Sequence, residues 1–171
     1  MNIRNRVKSL RMVPASDLRP NPKNWRTHPK AQQDALRGVL AEVGLADACL
    51  ARELPDGSLM LIDGHLRAET LGDGDVPVLI LDVNEAEADK LLLLLDPLAG
   101  MAGTNATALS ELLRGVATGE QSLAELFEDM AADAGIIPAE RAEKNNGDDE
   151  SANAADCRCP RCGELVGVGD E

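Results

Sequence analysis

Leu61-Ile62-Asp63-Gly64-His65-Leu66-Arg67-Ala68-Glu69 is an apolar run that stops at a glycine and restarts as a helix-forming segment carrying a histidine and an arginine. Val78-Leu79-Ile80-Leu81-Asp82-Val83 follows as a second β-branched and aliphatic run. A strand, a glycine turn, a short helix and another strand therefore fit within about two dozen residues. Free N–H groups at such a helix start favour an anion, and Arg67 adds a charge with fork geometry. The expected guest is a phosphate held by Gly64 and Arg67. The alternative is a tight turn whose polar residues satisfy only backbone groups.

On the N-terminal side, residues 7 to 19 read as a short strand running into a loop, and Pro20-Asn21-Pro22 must be extended. Asn24-Trp25-Arg26-Thr27-His28-Pro29 crowds polar and aromatic side chains into a loop, the composition of a site rim. From Lys30 to Val43, the positions Ala31, Ala35, Leu36, Val39, Leu40 and Val43 recur at helical spacing, with Gly44 placed for a C-cap. Asp47 to Leu54 is expected as a strand, and Pro55-Asp56-Gly57-Ser58 turns it into the strand Leu59 to Ile62, giving a hairpin.

On the C-terminal side, Glu85 to Leu95 reads as a helix capped by Asn84 and ended by Asp96-Pro97. Two further helical patterns span Ala108 to Val116 and Ser122 to Ala134. The second holds Glu125, Glu128, Asp129 and Asp133 and no base, so it suits packing or partner docking rather than DNA reading. Residues 138–156 are polar and charged, the composition of a disordered linker. They precede Cys157-Arg158-Cys159-Pro160-Arg161-Cys162-Gly163. Cys159 and Cys162 form half of a zinc-ribbon knuckle, and Cys157 offers a third ligand. The competing reading is a vestigial ribbon without metal.

Composition narrows the function. Trp25 and Phe127 are the only aromatics, so the core must be aliphatic and a base-stacking platform is not expected. The net charge of −13 is uneven: residues 1–37 hold nine Lys or Arg against Asp17 and Asp34, and the rest holds twenty-eight acids against eight bases. Any DNA contact is therefore expected through the basic N-terminal region, the alternative being a solubilising arm. The chain start lacks the apolar core of a signal peptide, and Leu91 to Leu95 is far too short to span a bilayer. A cytoplasmic protein with no membrane partner is expected. No Walker loop, dinucleotide fingerprint, Gly-x-Ser-x-Gly elbow or His-Glu-x-x-His cluster is present.

Pro20-Asn21-Pro22, Asn24 to Pro29, Gln32 to Gly44 and Leu61 to Arg67 together resemble the N-terminal domain of the ParB and sulfiredoxin superfamily, over about residues 10 to 100. The resemblance is to the ParB-like domains of phages and mobile elements, which accompany DNA methyltransferases. It implies an α/β (α+β) fold with a small mixed sheet and a Gly-containing box that binds nucleotide phosphates. Partition-type ParB proteins bind CTP with a Gly-Glu-Arg-Arg box; Gly64 and Arg67 match it, whereas His65 and Leu66 depart from it. Sulfiredoxins carry a catalytic Cys where His65 falls, so their reductase chemistry is not implied.

The expected organisation is a ParB/sulfiredoxin-like domain at 1–100, a helical extension at 101–137, the linker at 138–156 and a partial zinc-ribbon tail at 157–171. The expected function is binding of a nucleotide, CTP or ATP, or of a nucleic-acid phosphate in a phage or mobile-element DNA transaction. Gly64, His65 and Arg67 would hold the phosphate, with Arg26, His28 and Asn21 on the facing rim. Two alternatives stay open. One is a nuclease or nucleotide hydrolase using His65 and Asp63 with magnesium. The other is a non-catalytic adaptor for a DNA methyltransferase or another phage enzyme.

Overall fold

In the computed structural model, which describes residues 3–136, the chain begins with the edge strand β1 (Val7–Pro14). It turns through a 3-10 segment (Ala15–Asp17) into the two-residue β2 (Leu18–Arg19), and an irregular strap, residues 20–29, leads to helix α1 (Lys30–Glu42). Next come β3 (Cys49–Glu53), β4 (Leu59–Asp63), α2 (His65–Leu71) and β5 (Asp75–Leu81), then α3 (Glu85–Gly100), α4 (Ala106–Gly115) and α5 (Gln121–Asp133). These elements lie in one unit, Met1–Ala134. The linker at 138–156 and Cys157, Cys159 and Cys162 lie outside the described residues.

The five strands form one mixed sheet in the order β1-β5-β3-β4-β2, with β3/β5 and β2/β4 parallel and the other pairs antiparallel. β3 and β4 are the anticipated hairpin. Leu54 N–H bonds Ser58 O at 2.8 Å across the turn, and Asp56 Oδ1 accepts Ser58 N–H at 3.0 Å. Cys49, Ala51, Leu61, Val76, Val78 and Ile80 point to one face of the sheet and, with Ala15, Leu18, Leu59 and Ala68, make the core. No aromatic residue takes part, as the composition requires. Full burial of an aliphatic side chain such as Leu61 or Ile80 contributes about 1.5–3 kcal/mol.

Three boundaries differ from the sequence pattern. β1 is eight residues long rather than short, because Val7 to Pro14 pairs with β5 along its whole length. β5 begins at Asp75, ahead of the apolar run. It tolerates Pro77 because pairing with β3 starts only at Val78, so Pro77 has β1 but not β3 beside it. α3 does not stop at Asp96-Pro97 but continues to Gly100. Proline removes the N–H that the Leu93 carbonyl would accept, and Leu93 is exposed, so water can satisfy that carbonyl. The start of α3 is as anticipated: Asn84 and Glu87 form a capping box, with both bonds at 2.9 Å.

α5 packs on α1 where Gly38 allows close approach; a Cβ there would lie 2.9 Å from Leu123 Cγ. Ser122 Oγ donates to Asp34 O at 3.1 Å. At the far end of α1, Glu42 Oε1 accepts from Thr118 Oγ1 at 2.7 Å and from the N–H groups of Gly119 at 2.6 Å and Glu120 at 3.2 Å. These bonds hold the Glu42 carboxyl below its ordinary range, the Thr118 hydroxyl being the largest cause.

Candidate functional site

β4 delivers Asp63 and Gly64 to the start of α2, and the backbone there demands glycine. Gly64 has φ 89°, in the left-handed region, and a Cβ would stand 2.7 Å from Cys49 Sγ and 3.1 Å from Cys49 Cα. No side chain caps α2, so its first-turn amides are left for solvent or a ligand. Cys49 is fully buried, and burial pushes its thiol above the ordinary value. Its Sγ lies 3.6 Å from the Gly64 carbonyl it donates to, so it acts as packing under the turn.

Opposite this turn runs the strap. Asn21 is its anchor: Nδ2 donates to Leu61 O at 3.2 Å, Oδ1 accepts Lys23 N–H at 2.9 Å, and the Asn21 backbone N–H donates to His65 Nε2 at 3.2 Å. Further along, Lys23 pairs with Glu85 at 2.9 Å and Asp89 at 2.7 Å, and Trp25 Nε1 donates to Leu92 O at 3.4 Å. Arg26 stacks over the Trp25 ring at 4.3 Å and pairs through Nε with Asp96 at 2.8 Å. His28 Nδ1 meets Gln32 Oε1 at 3.1 Å, and Gln33 Nε2 donates to His28 O at 3.0 Å. The strap is thus fastened to α3 on one side and to α1 on the other.

Between strap and turn lies a cleft of about 480 Å³. Its polar end gathers Asn24, Arg26, His28, Asp63, Gly64, His65 and Arg67. Its other end is aliphatic, formed by Leu36 and Val39 of α1, Leu91 and Leu95 of α3 and Leu126 of α5. A second hollow lies across the strap and shares Asn24, Arg26, Thr27, His28 and His65 with the first. His65 is half-buried, and that burial lowers its pKa below the ordinary imidazole value; neighbouring Asp63 opposes the shift and His28 adds to it.

Six of the seven residues anticipated for the nucleotide site or its chemistry meet in the cleft: Arg26, His28, Asp63, Gly64, His65 and Arg67. Asn21 does not line it, and its side chain is spent on Leu61 and Lys23, so it supports the strap instead of facing a ligand. Arg67 is not a free cation. Its NH2 pairs with Asp47 and its NH1 donates to Ala48 O at 3.2 Å, which ties α2 to the start of β3. No local pattern signals Asp47 as its partner or Leu126 as closing the cleft, because both contacts join segments far apart in the chain. Asp63 makes no side-chain hydrogen bond or ion pair among the described residues.

The basic N-terminal region is also not an unopposed patch. Of the nine cations in residues 1–37, eight pair with the chain's own carboxylates, Arg4 and Arg6 with Glu87, Lys8 with Glu53 and Arg19 with Asp56 among them. No group of three or more His, Cys, Asp or Glu forms a metal site among the described residues. No helix among them is long and apolar enough to cross a membrane.

No family model and no curated protein matches the sequence. Solved structures do. The C-terminally truncated chromosome-partitioning protein ParB from Caulobacter crescentus, complexed with CTP-gamma-S, superposes with a TM-score of 0.51 at 22% identity. The fold is ParB-like. That match covers 62% of this chain and 60% of the Caulobacter chain, so the ParB-like chain spans under two thirds of its neighbour. The Caulobacter protein complexed to the centromeric parS site gives a TM-score of 0.42 at 18% identity, covering 78% of this chain and 75% of that one. A Pnob8-like ParB-N domain gives 0.42 at 20%, covering 79% and 51%. At these identities the likeness is one of fold.

Proposed function

We propose that the cleft of this ParB-like domain binds a nucleoside triphosphate, CTP or ATP, and that the domain serves a DNA transaction of a phage or mobile element. The observation that carries this reading is the cleft itself: about 480 Å³ with an open helix start behind Gly64, two arginines and an aliphatic far end. The Caulobacter neighbour bound to CTP-gamma-S supports it as a precedent for the fold. Phosphate oxygens would take the first-turn amides of α2 and draw Arg67 from Asp47, whose side chain is 72% exposed and costs little to release. Arg26 would turn part of its fork from Asp96 to the phosphate. With no Phe, Tyr or Trp lining the cleft, the base would be held by aliphatic contact.

Asp63 would be the one protein ligand of a magnesium ion. One carboxylate beside a phosphate suits Mg²⁺, which keeps most of its waters and takes few protein ligands. A magnesium ion carried with the nucleotide would add charge neutralisation, and Asp63 would orient it.

Calorimetry with CTP, ATP, GTP and UTP tests the reading. Binding of at least one with micromolar or tighter affinity is expected, weakened about tenfold or more in Arg26→Ala, the loss of one charge-assisted contact. In Asp63→Asn the gain in affinity on adding magnesium should disappear. No binding by any of the four would end the proposal.

A further inference from the structure

His65 is the residue in the cleft whose role the fold alone leaves undecided, and its hydrogen bonding decides it. The Asn21 backbone N–H points at Nε2 at 3.2 Å. A main-chain amide is always a donor, so Nε2 must be the unprotonated, accepting nitrogen. The neutral ring then carries its proton on Nδ1. Nδ1 has no protein partner among the described residues, and no unpartnered side-chain nitrogen or oxygen is fully buried among them, so Nδ1 is accessible, on a ring that lines the cleft and the neighbouring hollow. Asn21 is held in turn: it is 9% exposed, and its amide is fixed to Leu61 O and Lys23 N–H, so the donor cannot easily swing away.

We infer that Asn21 is a positioning residue that fixes His65 as a neutral Nδ1–H donor, directed at an oxygen of the bound ligand and removed from general-base chemistry. A base needs a free lone pair at the reacting end, and here the one lone pair is occupied by Asn21. Protonation would set an imidazolium N–H against the Asn21 N–H, donor against donor. This inference rests on the nucleotide reading for what the donor meets, but not for the tautomer.

The test begins on the free protein at pH 7, with long-range ¹H–¹⁵N correlation of the histidine rings, assigned with His28→Gln. The expected result is a protonated Nδ1 and an unprotonated Nε2 at His65. An Nε2–H tautomer or an imidazolium would overturn the inference and leave the nucleotide reading standing. In Asn21→Ala, which loosens the strap but keeps its N–H, the Nδ1–H population should fall; an unchanged ring would overturn the positioning role. Calorimetry at pH 7 completes the test. Nucleotide affinity should fall about tenfold in His65→Ala and be largely restored by His65→Asn, which keeps a donor. Affinity that His65→Asn fails to restore would contradict the donor role. Absence of any binding would strike the nucleotide reading while the ring spectrum stands.

Discussion

Gly64 concentrates the constraints of the site in one residue. Its φ of 89° and the Cys49 sulfur 2.7 Å from a would-be Cβ make any larger residue doubly strained. Gly64→Ala should cost about 2–5 kcal/mol, about 1–2 from the left-handed backbone and about 1–3 from overpacking, read by chemical denaturation. Adding Cys49→Ala should recover part of the steric cost, the contact with Cys49 Cα remaining, and leave the backbone part. His65 gives a pH prediction with a definite sign. Its folded-state pKa lies below the ordinary 6.5, so the folded chain binds fewer protons there than the unfolded chain. The stability it contributes is present above pH 6.5 and is lost as the pH falls toward the lowered value. The slope of stability against pH between 7 and 5 should therefore be shallower in His65→Gln, and an unchanged slope would remove burial of neutral His65 as its source. At Arg67, Asp47→Asn should raise nucleotide affinity a few-fold by releasing the guanidinium, and weakened binding would show that Asp47 shapes the site instead.

Among the elements, α5 shows how a distant helix becomes part of the site. Its Leu126 closes the aliphatic end of the cleft, and Glu42 of α1 holds its N-terminal approach through Thr118, Gly119 and Glu120. Because the Glu42 carboxyl titrates below its ordinary range, this hold is present above about pH 4.5 and is lost as the pH falls through the lowered value. Glu42→Gln should speed hydrogen exchange across Gln121–Asp133 while sparing the sheet; equal protection in both proteins would mean that Leu123 against Gly38 holds α5 unaided. Local patterning made most of these elements legible. A continuous apolar run stopping at Gly64 marked β4, helical spacing marked α1, and Asn84 marked the start of α3. What escaped depended on neighbours. Pro77 sits in a strand because β3 is not yet beside it, Pro97 sits in a helix because Leu93 faces water, and Arg67 meets Asp47 across twenty residues of chain. No single segment contains such information.

At the scale of the whole molecule, most cations of residues 1–37 are paired within the described fold. The basic N-terminal segments meet the acids of β3, the hairpin turn and α3, so the cations serve chiefly to strap the chain across its own sheet and helices. The cleft is the other product of this arrangement, since the strap that the pairs fasten is also its rim. A ligand that binds only the folded state at one hundred times its Kd should add about 2.7 kcal/mol of stability, a rise in Tm of a few degrees. The most direct test is a backbone amide NMR titration of the full chain with magnesium and the nucleoside triphosphate that binds it. The account predicts that the largest shifts fall on Gly64, His65, Leu66 and Arg67, with Arg26 and His28 following on the strap. Saturable binding whose shifts spare residues 64–67 and gather elsewhere would contradict it.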